Sequence, residues 1–253
     1  MVGQRPILVP LPTPFTDGGE QASEVRFARA MRWHLERGAA GFIVGSEAGE
    51  WWSLSLSERK TLLEWAMREA RGIPVYAHCT AWTTAAMLDL AQSAQRHGAQ
   101  GAVFSPPPYP PLTKSECEAC QNSLKRYLDL PFAFVSSEST SGNLRHADLG
   151  SAGLEPLGFS RLGDPCEGLL DQSLVHPAAV LGADRLRKMS GSWVRWKMRL
   201  APLFKSFGPA RIGKAVFRIS DLDLGSSRPP AGDLPSEVMQ ALAGLLGEVD
   251  SLE

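Results

Sequence analysis

Glu47 and His78 have the residue types that general acid–base chemistry uses. A carboxyl can hold or give a proton, and an imidazole titrates near neutral pH. Each stands at the end of a short apolar run, Gly41–Val44 and Ile73–Ala77. A parallel sheet that sets those runs side by side would bring the pair together. Arg161 adds a permanent cation that could clamp a carboxylate. Other candidate ligand-binding residues also follow apolar runs. These are Ser46, Ala48, Glu50, Trp51 and Trp52 after the second run, Tyr109 after the fourth, Ser136 after the fifth, and Ser160 just before Arg161. Two adjacent indoles in a loop need a cover, whether a ligand, a neighbouring loop or a second subunit. A mouth lined this way suits a sugar-like, polyol or cationic small molecule. His78, Cys79, Glu47 and Glu138 have no diagnostic ligand spacing, so no metal site is expected. Cys117 and Cys120 fall on the apolar stripe of a predicted helix, with no second pair, and read as core cysteines. No cofactor is implied.

The elements that must position these residues alternate. Predicted strands are Ile7–Pro12, Gly41–Val44, Ile73–Ala77, Gly101–Phe104 and Phe132–Val135. Between them lie helical stripes: Val25, Ala28, Met31 and Leu35; then Leu62, Leu63, Ala66, Met67 and Ala70; then Met87, Ala91 and Ala94; then Cys117, Cys120, Leu124 and Tyr127. Ser55 and Glu58 have the spacing of a capping box, which fixes a helix start right after the Glu47 loop. Arg37-Gly-Ala-Ala-Gly and His97-Gly-Ala-Gln-Gly repeat the same helix-to-strand turn two βα units apart. Continuous apolar strands alternating with amphipathic helices predict a parallel sheet covered on both faces. With no dinucleotide fingerprint, a closed (β/α)8 TIM barrel is the expected α/β fold, and its ligands sit at the carboxyl ends of the strands. The second half is less regular. Leu157–Ser160 and Cys166–Asp171 are candidate late strands, and the length after Ser160 falls short of a full barrel by about one βα unit. The barrel is therefore expected over 1–184, truncated or incomplete in its second half, with a C-terminal helical extension over 185–253. In the extension Trp193, Trp196, Leu200 and Leu203 form one stripe, and Val238, Leu242, Leu245 and Val249 form another.

Composition narrows the function. Hydrophobic residues make up 43% of the 253, enough for a large core, and the net charge is −1. No run of one sign suggests a nucleic-acid or anionic-membrane surface. No apolar stretch approaches the roughly 20 residues of a membrane span, and Met-Val-Gly-Gln-Arg-Pro does not read as a secretion signal. Four cysteines do not suggest a disulfide framework. A cytoplasmic protein with a small-molecule ligand is expected.

The segment Gly41-Phe-Ile-Val-Gly-Ser-Glu-Ala-Gly-Glu50-Trp-Trp-Ser-Leu-Ser-Leu-Ser-Glu-Arg59 resembles the second-strand motif of the dihydrodipicolinate synthase and N-acetylneuraminate lyase family. That motif runs Gly-Thr-Thr-Gly-Glu, two variable residues, Thr/Ser-Leu-Ser, then Glu-Glu-Arg. Pro107-Pro-Tyr109 is similar to the family's Pro-Pro-Tyr, Gly208-Pro-Ala-Arg-Ile-Gly-Lys214 to its Asn-Pro-x-x-x-Lys, and Ser227-Arg-Pro-Pro230 to its Arg-x-Pro.

The resemblance implies a barrel, a 2-oxo acid or sugar-like substrate, lyase chemistry and a homo-oligomer. It also implies an imine between pyruvate or a related 2-oxo acid and a sixth-strand lysine, a fifth-strand tyrosine relaying protons, and paired threonines holding the carboxylate. This chain departs from all three. Ser160 and Arg161 stand at the lysine position, and no lysine lies between Lys125 and Lys188. The fifth-strand tyrosine position falls near Val135 and Ser136, and Glu47-Ala48 replaces the threonines. Lys188 and Lys214 are expected in the helical extension, away from strand ends. One reading is a family barrel that has lost Schiff-base catalysis. A second is an active lyase or hydro-lyase with Glu47 as acid, His78 as base and Arg161 as anion clamp. A third is a non-catalytic oligomer subunit.

Overall fold

The computed structural model describes residues 8–39, 41–107, 110, 112–134 and 192–250. The candidate late strands, Tyr109, Ser136, Ser160 and Arg161 lie outside them.

Five parallel strands run in the order β1 (Leu8–Pro10), β2 (Gly41–Val44), β3 (Val75–His78), β4 (Gly101–Phe104) and β5 (Phe132–Phe134). Sequential order in a parallel sheet requires a helix between each pair. Four helices supply the crossovers: α1 (Glu24–Leu35), α2 (Leu56–Glu69), α3 (Thr84–Arg96) and α4 (Lys114–Tyr127). Every residue of β2, β3 and β4 is buried, as expected of strands covered on both faces. The register aligns Ile43 with Tyr76 and Tyr76 with Gly101, so these three share one row across the sheet.

The helix starts follow from their first residues. Ser55 accepts the Glu58 N–H at 3.2 Å while the Glu58 carboxylate accepts the Ser55 N–H at 2.8 Å, closing the capping box. Thr113 and Glu116 do the same for α4. Ser23 caps α1 and Thr83 caps α3.

Several details differ from the sequence reading, and β1 ends at Pro10 where Pro12 was expected. β3 begins at Val75 and includes His78, because the His78 backbone pairs with Val103 instead of leaving the sheet. On α1 the buried set is Phe27, Ala28, Ala30, Met31 and His34, whereas Val25 is 71% exposed. This helix is covered on more than one side, by α2 and by Phe217, Leu222 and Leu224, so its buried arc is broader and rotated from the expected stripe. Tyr127 is exposed on α4, where Cys120 and Leu124 supply the buried face.

The expected C-terminal extension is helical: α5 (Ser192–Phe207), α6 (Pro209–Ile219) and α7 (Ser236–Asp250). Pro209 opens α6 at its first turn, where a missing N–H costs nothing. Leu200, Phe204, Ile212, Ala215, Val216, Leu242 and Leu245 join the main core. Among the described residues no helix is long and apolar enough to cross a membrane.

Candidate functional site

The loop after β2 forms two short 3-10 turns, Glu47–Gly49 and Trp51–Ser53, joined at Glu50. Glu50 has φ 56 and ψ 41, a left-handed conformation unfavourable for a residue with a Cβ. Its carboxylate explains how the turn is held. Glu50 Oε1 accepts from Lys214 Nζ of α6 at 2.5 Å, and Oε2 accepts from the Arg228 backbone N–H at 3.1 Å. Gly49 sits close to β1, where an added Cβ would meet Leu11 O at 3.1 Å and Thr13 Oγ1 at 3.2 Å. Thr13 Oγ1 donates to Gly49 O at 2.6 Å.

Glu47 leaves this loop toward β3. Its Oε1 accepts from Trp51 Nε1 at 3.2 Å, and its Oε2 lies 3.8 Å from His78 Nε2. The expected meeting of the two strand ends therefore occurs. The hydrogen bonds assign the imidazole tautomer. His78 Nδ1 lies 3.1 Å from Gly45 O, and a carbonyl only accepts, so Nδ1 carries the proton. Neutral Nε2 is then an acceptor, and Thr80 Oγ1 is 3.2 Å away to donate to it. Thr80 Oγ1 in turn accepts the Ser105 N–H at 2.7 Å and stands 3.0 Å from Ser105 Oγ. Burial pulls the His78 pKa below its usual value. The Glu47 carboxylate opposes that shift, the Arg59 guanidinium adds to it, and the bond to Gly45 opposes it. His78 is thus a neutral base with its lone pair turned toward Glu47 and Thr80.

Arg59, from α2, lies beneath this group. It donates at 2.6 Å to both Thr80 O and His78 O, fixing the end of β3. Burial lowers its pKa to about 10, which still leaves it charged, and Cys79 and Glu47 push the other way. Cys79 is buried and its thiol is pushed up to about 12 by that burial, so it offers no thiolate.

Ser46 is 8% exposed, and its hydroxyl is buried without a hydrogen-bond partner. Ala48 is buried. Trp51 is buried, but Trp52 and Trp82 are 48% and 54% exposed. The Trp51 ring stands 5.3 Å from Trp82 and 6.3 Å from Trp52, making a three-indole ledge beside Glu47.

Ser105 and Tyr76 are the polar neighbours that the sequence alone did not reveal. Tyr76 precedes His78 by two on β3 and so shares its face. Its ring packs over Gly101, where an added Cβ would meet Tyr76 Cδ1 at 3.2 Å. Its hydroxyl is buried without a partner, and burial raises its pKa to about 12, so it remains a phenol. A hydroxyl two residues before a candidate base on a predicted strand was the available signal.

Lys214 is placed otherwise than expected. It belongs to the helical extension but reaches the strand-end loop, with its side chain 4% exposed. Its ammonium donates to Glu50 Oε1, to Ser226 O at 3.1 Å, and lies 4.2 Å from the centre of the Phe15 ring. Among the described residues no group of three or more His, Cys, Asp or Glu is placed to hold a metal ion.

The model of the dihydrodipicolinate synthetase family matches residues 4–134, and the chain belongs to that family. N-acetylneuraminate lyase of Escherichia fergusonii is 31% identical over 140 residues, covering 54% of this chain and 47% of that protein. The chain thus matches about half the length of such curated relatives. A dihydrodipicolinate synthetase homologue from Pseudomonas aeruginosa superposes with a TM-score of 0.73 at 19% identity, over 98% of this chain and 100% of that one. A prophage protein of the dihydrodipicolinic acid synthase family from E. coli K12, solved with pyruvate, gives 0.75 at 17% identity, over 97% and 98%. At these identities the structural likeness establishes the shared TIM-barrel fold alone.

Proposed function

We propose that this chain is a barrel of the family in which imine chemistry has been lost and the mouth beside β2 and β3 binds a small molecule. The observation that carries this reading is Glu47. Where the family pattern calls for carboxylate-holding hydroxyls, an anion stands 3.8 Å from a histidine. The carboxylate of a 2-oxo acid placed there meets a like charge. Lys214, which reaches the strand-end loop, supports the reading, since its amine is held by Glu50 and Ser226. A nucleophilic amine needs a free lone pair and a path to its carbonyl. On this reading Ser46, Glu47, Ala48, His78 and the Trp51–Trp52 pair, with Tyr109, Ser136 and Ser160, line the ligand site. Glu50 positions the loop. Residues 1–184 form the barrel, and 185–253 form an extension that braces it.

Borohydride reduction in the presence of pyruvate tests the reading. Intact-mass measurement should find no adduct, and an adduct on any lysine overturns it.

The short Glu47–His78 separation favours a second reading, proton transfer on a 2-oxo acid or sugar-like substrate, with Arg161 as the anion clamp. Glu47→Gln and His78→Ala should then each abolish turnover found by substrate screening. Full activity in both excludes these roles. Assembly into a homo-oligomer, with Tyr109 and the exposed indoles at contacts, is the third part of the proposal. Light scattering that finds only monomer removes it.

A further inference from the structure

α6 carries Arg211, Lys214 and Arg218 at intervals of three and four, which places them on one face. That face packs against the segment containing Ser227 and Asp233, leaving a crevice with a cavity of about 10 Å³, room for one atom-sized guest. Two of the three cations are neutralised. Lys214 pairs with Glu50, and Arg218 pairs with Asp233 at 3.2 Å. Arg211 is not. It spends one N–H on the Asp233 backbone carbonyl at 2.6 Å, and among the described residues it forms no ion pair with a carboxylate. Its Nε is buried without a hydrogen-bond partner, and so is Ser227 Oγ on the facing segment, in a residue 2% exposed.

Arg211 Nε can only donate and the Ser227 hydroxyl has a proton to donate, and a buried donor is costly to leave unpaired. The guest that satisfies both must accept hydrogen bonds, and beside an unpaired guanidinium an anion is favoured over a neutral acceptor. A single atom-sized anion matches a cavity of this size. We propose that the crevice between α6 and the Ser227–Asp233 segment is a binding site for a single monoatomic anion, chloride under ordinary conditions, held by Arg211 Nε–H and Ser227 Oγ–H. The crevice is lined in part by Lys214 but by none of the residues of the proposed ligand site, so it stands whether or not that site does.

Chloride NMR line broadening on the intact protein tests this, with sodium gluconate holding ionic strength constant. The wild type should show saturable excess broadening that bromide competes away. Ser227→Ala removes one small hydroxyl and Arg211→Met removes the cation, and each should weaken chloride binding by about ten-fold or more. Arg199→Met, which removes an exposed guanidinium paired with Glu248, should leave it unchanged. A crystal grown in bromide should show an anomalous peak between Arg211 Nε and Ser227 Oγ. Broadening that is absent, or equal in the wild type and in Ser227→Ala, overturns the proposal, as does a bromide-free crevice. Ser227→Ala keeps the test decisive should Arg211→Met fail to fold.

Discussion

Glu50 and Lys214, 164 residues apart in sequence, form an ion pair at 2.5 Å with side chains 2% and 4% exposed. This contact ties the C-terminal extension to the loop that carries Glu47. Burial pulls the Lys214 pKa down, and the Glu50 carboxylate, with a smaller contribution from Asp233, pulls it back up, so the charged state of the amine rests chiefly on Glu50.

Removing either partner strands the other in a dry site. Lys214→Met should cost about 3–5 kcal/mol, measured as loss of unfolding free energy in urea, and Glu50→Gln should cost a similar amount. The double variant should lose less than the sum of the two, because no charge is left unpaired. Strict additivity would show that the two side chains do not act as a pair. Glu50 is also left-handed, so Glu50→Gly should relax the backbone while losing the pair, and should be less damaging than Glu50→Ala.

Gly225 fixes the other end of the same brace. Its φ is +76, and an added Cβ would fall within bonding-clash distance of Phe15 O and 2.9 Å from Arg26 Nη1. Both the backbone and the β1-side loop would have to move. Gly225→Ala should therefore lower stability by about 2–4 kcal/mol. An unchanged melting temperature would contradict the close approach.

The parts of this arrangement that the sequence discloses are those set by local rules. Period and glycine turns place β2 and β4 to the residue, and the Ser55–Glu58 spacing places the start of α2. Adjacency of β2 and β3 follows from their order, which is why Glu47 and His78 could be paired in advance. The Lys214 contact could not be, because nothing near either residue signals a partner so distant in the chain. Val25 misled for a related reason. Periodicity gives the width of an apolar stripe but not which helices cover it, and α1 is covered so as to bury His34 and Ala30. Tyr76 reads as an ordinary strand aromatic, and only the register that sets it against Gly101 shows its hydroxyl without a partner.

The tautomer of His78 is a direct check on the site. Nitrogen NMR at neutral pH should show Nδ1 protonated and Nε2 bare. Glu47→Gln removes a charge that favours the imidazolium, so the His78 pKa should fall further below its ordinary value. Thr80→Val removes the donor to Nε2 and the acceptor for Ser105, and the Nε2 resonance should lose its hydrogen-bond shift while Nδ1 keeps its own. An Nε2-protonated ring at neutral pH would mean that the contact with Gly45 O does not form.

His34 gives the chain a predictable acid sensitivity. The residue is fully buried, and neither ring nitrogen has a partner. Its ring meets Trp33 edge-on at 4.9 Å and Phe217 at 5.4 Å, at the joint between α1 and α6. Burial, with help from the Arg37 guanidinium, lowers its pKa from 6.5 to about 3. The unfolded chain therefore takes up a proton at pH values where the folded chain does not. Stability is complete above pH 6.5 and declines as pH falls toward 3, by about 1.4 kcal/mol per pH unit for this group alone. Over the whole interval the loss amounts to about 4–5 kcal/mol. Burial also holds the His78 pKa down, so that residue adds loss of the same sign. Urea unfolding between pH 7 and pH 4 should show the slope in the wild type and a shallower one in His34→Leu, which keeps an apolar group at the joint and takes up no proton. Equal slopes would mean that His34 is protonated, or solvated, in the folded protein.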